Sequence, residues 1–100
     1  MAKLRLSSAA QKDLLEISEL SVERFGEAKA IDFLDGFDRI FRLLRDQPNS
    51  GQLRDELGTA DRSFSHRPYR ILYQVKGDEV LITRIIHQAR DVRTALLNER

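Results

Sequence analysis

One hundred residues, 41% apolar and 33% charged, are enough for one domain with a single thin core, and too few for two. The chain has no cysteine, which excludes disulfides and thiolate zinc sites, and its two histidines, His66 and His87, are too few for a histidine-based metal site. The net charge of +1 hides an asymmetry: residues 62–100 hold eight Lys plus Arg against four Asp plus Glu, so that part is +4 and the rest −3. Either a solvated arginine-rich surface or a basic face for an acidic partner fits this imbalance, which is well below the usual footprint of a nucleic-acid binder.

The elements can be taken in order. Lys3-Leu4-Arg5-Leu6 alternates as a short half-buried strand. The same charged start lacks the apolar run of a signal peptide, and nothing reaches the roughly 18 apolar residues of a membrane span. The expected location is therefore the cytoplasm, away from membranes. Ser7 or Ser8 caps a first helix, with Ser8-Ala9-Ala10-Gln11 as a capping box, and that helix runs to about Phe25. Ala10, Leu14, Ile17 and Phe25 lie near one face, and Leu15 and Val22 on a neighbouring stripe. Gly26 ends the helix. A second helix over 27–45 places Ala30, Phe33, Leu34, Phe37, Phe41 and Leu44 on one stripe, widened by Ile40 and Leu43. The short connection forces the two helices into an antiparallel hairpin.

Pro48 and its polar neighbours stop the second helix. Residues 52–61 read as an irregular charged loop. Strands follow over 62–66, 69–75 and 80–87, separated by Arg67-Pro68 and by Gly77-Asp78, which suits a two-residue hairpin loop. The last of them is apolar on both faces, as a strand covered on both sides should be. A turn after Gln88 and a short helix over 92–98 complete the chain. The expected fold is α+β: a three-stranded antiparallel meander joined by the N-terminal strand, four strands in all, with the hairpin packed on one face.

These segments, in this order, resemble the ParE toxins of the ParE/RelE superfamily of type II toxin–antitoxin systems. The resemblance rests on Leu6-Ser7-Ser8-Ala9-Ala10-Gln11-Lys12-Asp13-Leu14-Leu15-Glu16-Ile17, where the family often has proline in place of Ser8, and on Arg24-Phe25-Gly26-Glu27-Ala28-Lys29-Ala30. It continues through Gly51-Gln52-Leu53-Arg54-Asp55-Glu56-Leu57, Arg62-Ser63-Phe64 and Tyr69-Arg70-Ile71-Leu72-Tyr73-Gln74-Val75. Arg84-Ile85-Ile86-His87-Gln88-Ala89-Arg90-Asp91 matches the closing pattern of an aliphatic pair, His, two variable residues and Arg-Asp. The resemblance implies a RelE/ParE-like fold over residues 1–100 and a ParD-like antitoxin that binds the toxin directly as a hetero-oligomer. It also implies DNA gyrase as the target, with growth inhibition through blocked replication. No cofactor and no sequence-specific DNA binding by the chain itself are expected.

The RNA-cutting branch of the superfamily, resembling RelE, supplies an alternative. Cleavage there would need proton transfer and cations on a phosphate, for which His87, Tyr73, Arg84 and Arg90 are the candidates. Tyr73 shares a strand face with Ile71 and Val75, which favours a core role. A third reading is a module that has lost toxicity and only binds its antitoxin.

A hairpin beside a sheet leaves a groove. Leu15, Leu20 and Val22 do not all fit the buried stripe, so they either form an exposed apolar patch or pack under the loop at 52–61. The expected antitoxin surface is Leu15, Leu20 and Val22 with Arg54, Arg62, Arg67 and Arg70 meeting acidic residues of the antitoxin's C-terminal segment. The expected target-binding stretch is His87, Arg90, Arg93, Leu96 and Leu97.

Overall fold

The computed structural model describes residues 2–54 and 61–89. Strand β1 (Lys3–Leu6) leads into α1 (Ser8–Phe25) and α2 (Glu27–Asp46), then a 3-10 turn (Pro48–Ser50) and β2 (Gln52–Leu53). The chain then makes the meander β3 (Asp61–His66), β4 (Tyr69–Lys76) and β5 (Glu79–His87). The α+β architecture is the one the sequence predicts. The short helix expected over 92–98 lies outside the described residues.

The sheet differs from expectation in its number of strands. It has five strands in the order β1-β5-β4-β3-β2, because Gln52 and Leu53, read as loop, pair with Ser63 and Arg62 at its edge. A two-residue strand is too short to show alternation. The sheet is also mixed, since β1 runs parallel to β5, with Leu4 beside Val80 and Leu6 beside Ile82.

Ser7 is the cap of α1: its hydroxyl accepts from the Ala10 N–H at 3.0 Å. Gln11 does not close a capping box with Ser8; its amide donates to the Leu6 carbonyl instead. Gly26, at φ 82°, joins the helices in a conformation that L side chains rarely adopt. Ser21 and Ala30, both buried, present small side chains along the two helices near their junction.

The core lies between hairpin and sheet. Ala10, Ile17, Phe37, Phe41 and Leu44 come from the helices, and Ile71, Tyr73, Val80, Ile82 and Ile85 from the sheet. Burying each large one contributes about 1.5–3 kcal/mol. Ile82 and Ile85, three residues apart, reach the same core because of a β-bulge. Tyr73 faces Ile82 and Leu72 faces Arg84, so Thr83 is left over. Its hydroxyl donates to the Leu72 carbonyl. Phe25, expected in the buried face of α1, is 63% exposed, because it stands in the last turn, where the helix has passed the core.

β1 covers the edge of β5 only as far as Ile82. Beyond that point the start of α1 takes over. Ser7 donates from its N–H to the Ile82 carbonyl and from its hydroxyl to the Thr83 carbonyl. Asp13 then accepts from the Ile85 N–H at 2.9 Å and from two nitrogens of the Arg84 guanidinium, at 2.7 and 3.0 Å. Both side chains of this ion pair are about nine-tenths buried, at 9% and 12% exposure. Asp13→Ala would take the carboxylate from a buried guanidinium and leave a strand-edge N–H without its acceptor. We expect it to cost about 3–5 kcal/mol of unfolding free energy, read by urea denaturation; a loss under about 1 kcal/mol would contradict this account.

Candidate functional site

The hairpin junction does not close onto the sheet. Between them lies a cavity of about 560 Å³, lined mainly by apolar surface. Leu20, Ser21, Arg24 and Phe25 reach it from the last turns of α1, and Lys29 and Phe33 from the first turns of α2. Arg67, Pro68 and Tyr69 close the far side from the β3–β4 turn, and His87 stands at the end of β5. A smaller hollow of about 210 Å³ shares Leu20, Tyr69 and His87 and extends toward Asp13, Glu16 and Ile86. The larger hollow is the groove, apolar within and cationic where Arg24, Lys29 and Arg67 meet solvent, and the smaller one beside it carries the Glu16 carboxylate.

The groove's aromatic wall is fixed by packing. His66 stacks on Phe33 with ring centroids 4.5 Å apart and 16° between planes, and meets Phe37 edge-on at 4.6 Å. Its Nε2 lies 2.9 Å from the Phe33 carbonyl, positioned to donate. Gly36 makes room for this ring: a Cβ there would run into the imidazole. Tyr69 lies 6.0 Å from Phe33 and 5.8 Å from His87, centroid to centroid. His87 is exposed, and its Nδ1 accepts from the Ala89 N–H.

The residues expected from the sequence are distributed differently. Of the anticipated antitoxin surface, Leu20 and Arg67 line the groove. Leu15 and Val22 stand roughly 140–160° around α1 from Leu20, at 59% and 42% exposure, so they are not packed beneath a loop. Arg62 donates to the Asn49 and Gly51 carbonyls near the other end of α2, and Arg54 reaches the Ser63 hydroxyl. Arg70, paired across the ladders with Ser65 and Ile86, alternates away from the core residue Ile71. The seven do not form one patch. Of the target-binding set, His87 lies at the groove, while Arg90, Arg93, Leu96 and Leu97 are outside the described residues.

The four candidates for RNA cleavage are not brought to one surface. Arg84 is buried against Asp13. Tyr73 has no exposed surface, and its hydroxyl donates to the Pro48 carbonyl and accepts from the Gly51 N–H, both at 2.7 Å. His87 is exposed, and Arg90 lies outside the described residues. What sequence reasoning missed is the contribution of Arg24, Phe25 and Lys29. Their signal is the Phe25-Gly26 junction, where helical periodicity outruns the core.

Comparisons with known proteins show the family and the fold. The profile of the family described as "ParE toxin of type II toxin-antitoxin system, parDE" matches residues 4–92. The chain belongs to the ParE toxin family. Toxin ParE1 of Caulobacter vibrioides is 29% identical over 96% of this chain and 99% of its own length. Toxin ParE1 of Mycobacterium tuberculosis is 30% identical over 87% of this chain and 90% of its own. A solved structure described as "Chromosomal ParDE TA system from P. aeruginosa" superposes on this ParE-family toxin with a TM-score of 0.74 at 26% identity, covering 87% of this chain and 96% of that one. No helix among the toxin's described residues is long and apolar enough to cross a membrane.

Burial raises the Tyr73 phenol above its ordinary value of 10, against the opposing effects of the Gly51 N–H and the Arg62 charge. The linkage has a definite sign. Below about pH 10 the phenol is neutral in both states and its contribution is complete. Above that, the unfolded chain ionises first and stability falls. Tyr73→Phe should cost about 1–2 kcal/mol at pH 7, because the Gly51 N–H loses its partner. Its unfolding free energy should also decline less than the parent's between pH 9 and 11 in urea titrations; parallel declines would refute the linkage.

Proposed function

We propose that this chain is a toxin that inhibits DNA gyrase and so blocks replication, and that a ParD-like antitoxin neutralises it by seating its C-terminal segment in the groove at the hairpin junction. Membership of the ParE family supports the gyrase target. One observation carries the docking site: an open apolar cavity of about 560 Å³ that places Arg24, Lys29 and Arg67 at its mouth. No ion pair among the described residues engages these three cations. An apolar side chain entering beside Phe25, Phe33 and Tyr69, with carboxylates on either side of it, answers both features.

A ribonuclease built on Tyr73 and Arg84 would have to open the core to expose them, so this reading does not route chemistry through either residue. His87 serves in it as a wall of the groove, edge-on to Tyr69.

The test uses purified toxin, gyrase and relaxed plasmid. Supercoiling should stop with toxin alone and return when the antitoxin encoded beside it is added. The double variant Lys29→Glu with Arg67→Glu should still inhibit but need about tenfold more antitoxin, equivalent to about 1.4 kcal/mol. Untouched supercoiling together with cleavage of ribosome-bound message would sink the gyrase assignment. An unchanged antitoxin requirement in the variant would sink the groove.

A further inference from the structure

The smaller hollow, about 210 Å³ beside the groove, differs from it in charge. Among the described residues the groove is lined by Arg24, Lys29 and Arg67 and by no carboxylate, whereas the smaller hollow is lined by Asp13 and Glu16 and by no Lys or Arg. The two carboxylates are not equivalent. Asp13 is 12% exposed, and both of its oxygens are committed: one accepts from the Arg84 guanidinium and the Ile85 N–H, the other from the same guanidinium. Its charge is neutralised where it stands. Glu16 is exposed, and no hydrogen bond or ion pair among the described residues engages it. Lys12, one turn earlier on α1, is exposed and forms no ion pair with Glu16. His87 is held at Nδ1 by the Ala89 N–H.

The rest of the hollow is apolar or aromatic: Ile17 and Leu20 from α1, Ile85 and Ile86 from β5, and Tyr69. An uncompensated carboxylate on such a surface suits a cation carried on an aliphatic stem, which covers the apolar wall while its head meets the charge. The ring of Tyr69 favours a guanidinium over an ammonium. A planar guanidinium can lie against an aromatic ring and still present two N–H groups to a carboxylate.

We propose that the smaller hollow is a binding site for an arginine side chain of the antitoxin segment. This rests on the reading of the groove as the place where that segment docks. The two hollows share Leu20, Tyr69 and His87, so one segment can fill both. Its apolar residue enters the groove with carboxylates facing Arg24, Lys29 and Arg67, and its arginine reaches Glu16. The opposed charges also set direction. A segment lying the other way would put its arginine among three cations and its carboxylates against Glu16, which penalises the reversed register.

Two measurements test this. In the first, amide chemical shifts of the whole toxin are followed during titration with n-butylguanidinium, n-butylammonium and butyrate. Butylguanidinium should move Glu16, Ile17 and Ile85 more than butylammonium does, butyrate should leave them in place, and Glu16→Gln, checked for folding by circular dichroism, should abolish the response. In the second, the antitoxin encoded beside the toxin is titrated calorimetrically. Glu16→Lys should weaken its binding at least about tenfold, and replacing the segment's arginine by glutamate should restore much of the loss. Shifts that survive Glu16→Gln, or that butyrate matches, would overturn the site. Undiminished antitoxin binding by Glu16→Lys, where Lys29→Glu with Arg67→Glu does weaken it, would overturn the arginine contact and leave the groove standing. The converse pattern, with butylguanidinium still dependent on Glu16, would remove the groove and keep the cation site.

Discussion

β1 runs beside β5 for only four residues, and everything above that point on the β5 edge depends on side chains from the start of α1. Ser7 and Asp13 act as substitutes for a strand. Between them they satisfy two carbonyls and an N–H that would otherwise face an unpaired edge, and Asp13 neutralises Arg84 as it does so. Free strand edges invite pairing with other chains, and this one is covered by a helix instead. The bonds also fix where α1 sits. A helix pinned to β5 at Asp13 carries Leu20 and Arg24, roughly two and three turns on, over the end of the strand at His87. The groove's position is set by an ion pair at its edge.

The opposite wall depends on shape. An interior helical glycine costs about 1 kcal/mol relative to alanine, yet Gly36 stands mid-way along α2. The vacancy admits the His66 ring, which lies between Phe33 and Phe37 and reaches the Phe33 carbonyl. That contact ties the end of β3 to α2, and the β3–β4 turn follows at once with Arg67 and Pro68 on the groove. Each wall therefore rests on one polar contact within an apolar setting. Tyr73 does similar work at the other end, holding the turn after α2 through Pro48 and Gly51.

Much of this was legible in the sequence. The 3.6-residue periodicity of the phenylalanines marked α2, Gly26 marked the hairpin, and the alternation from Tyr69 to Val75 marked the central strand. Ser7 and Ser8 located the helix start, though not which serine caps. The parts that periodicity missed share a cause: they depend on contacts between distant segments. The bulge at Thr83 is invisible to a period-two reading, and β2 is too short to have one. Phe25 followed the helical period but not the core, because the core ends before the helix does. The arginines grouped as one acidic-partner surface were separated by topology. Arg62 and Arg54 were drawn to the β2–β3 edge, and only Arg67 was left at the groove.

The same separation explains why the mouth of the groove is cationic. Each α-helix has a stripe facing the core and a wider arc facing solvent, and only the last turn of α1 and the first turns of α2 project past the sheet. In that short stretch Arg24 and Lys29 fall on the groove side. Scattered exposed apolar residues are ordinary on a soluble protein. Filling the groove with larger side chains would remove exposed apolar surface and lower the risk of aggregation. Under the proposed antitoxin role the surface by which the chain is held has to stay open, and the unfilled junction over His87 meets that requirement.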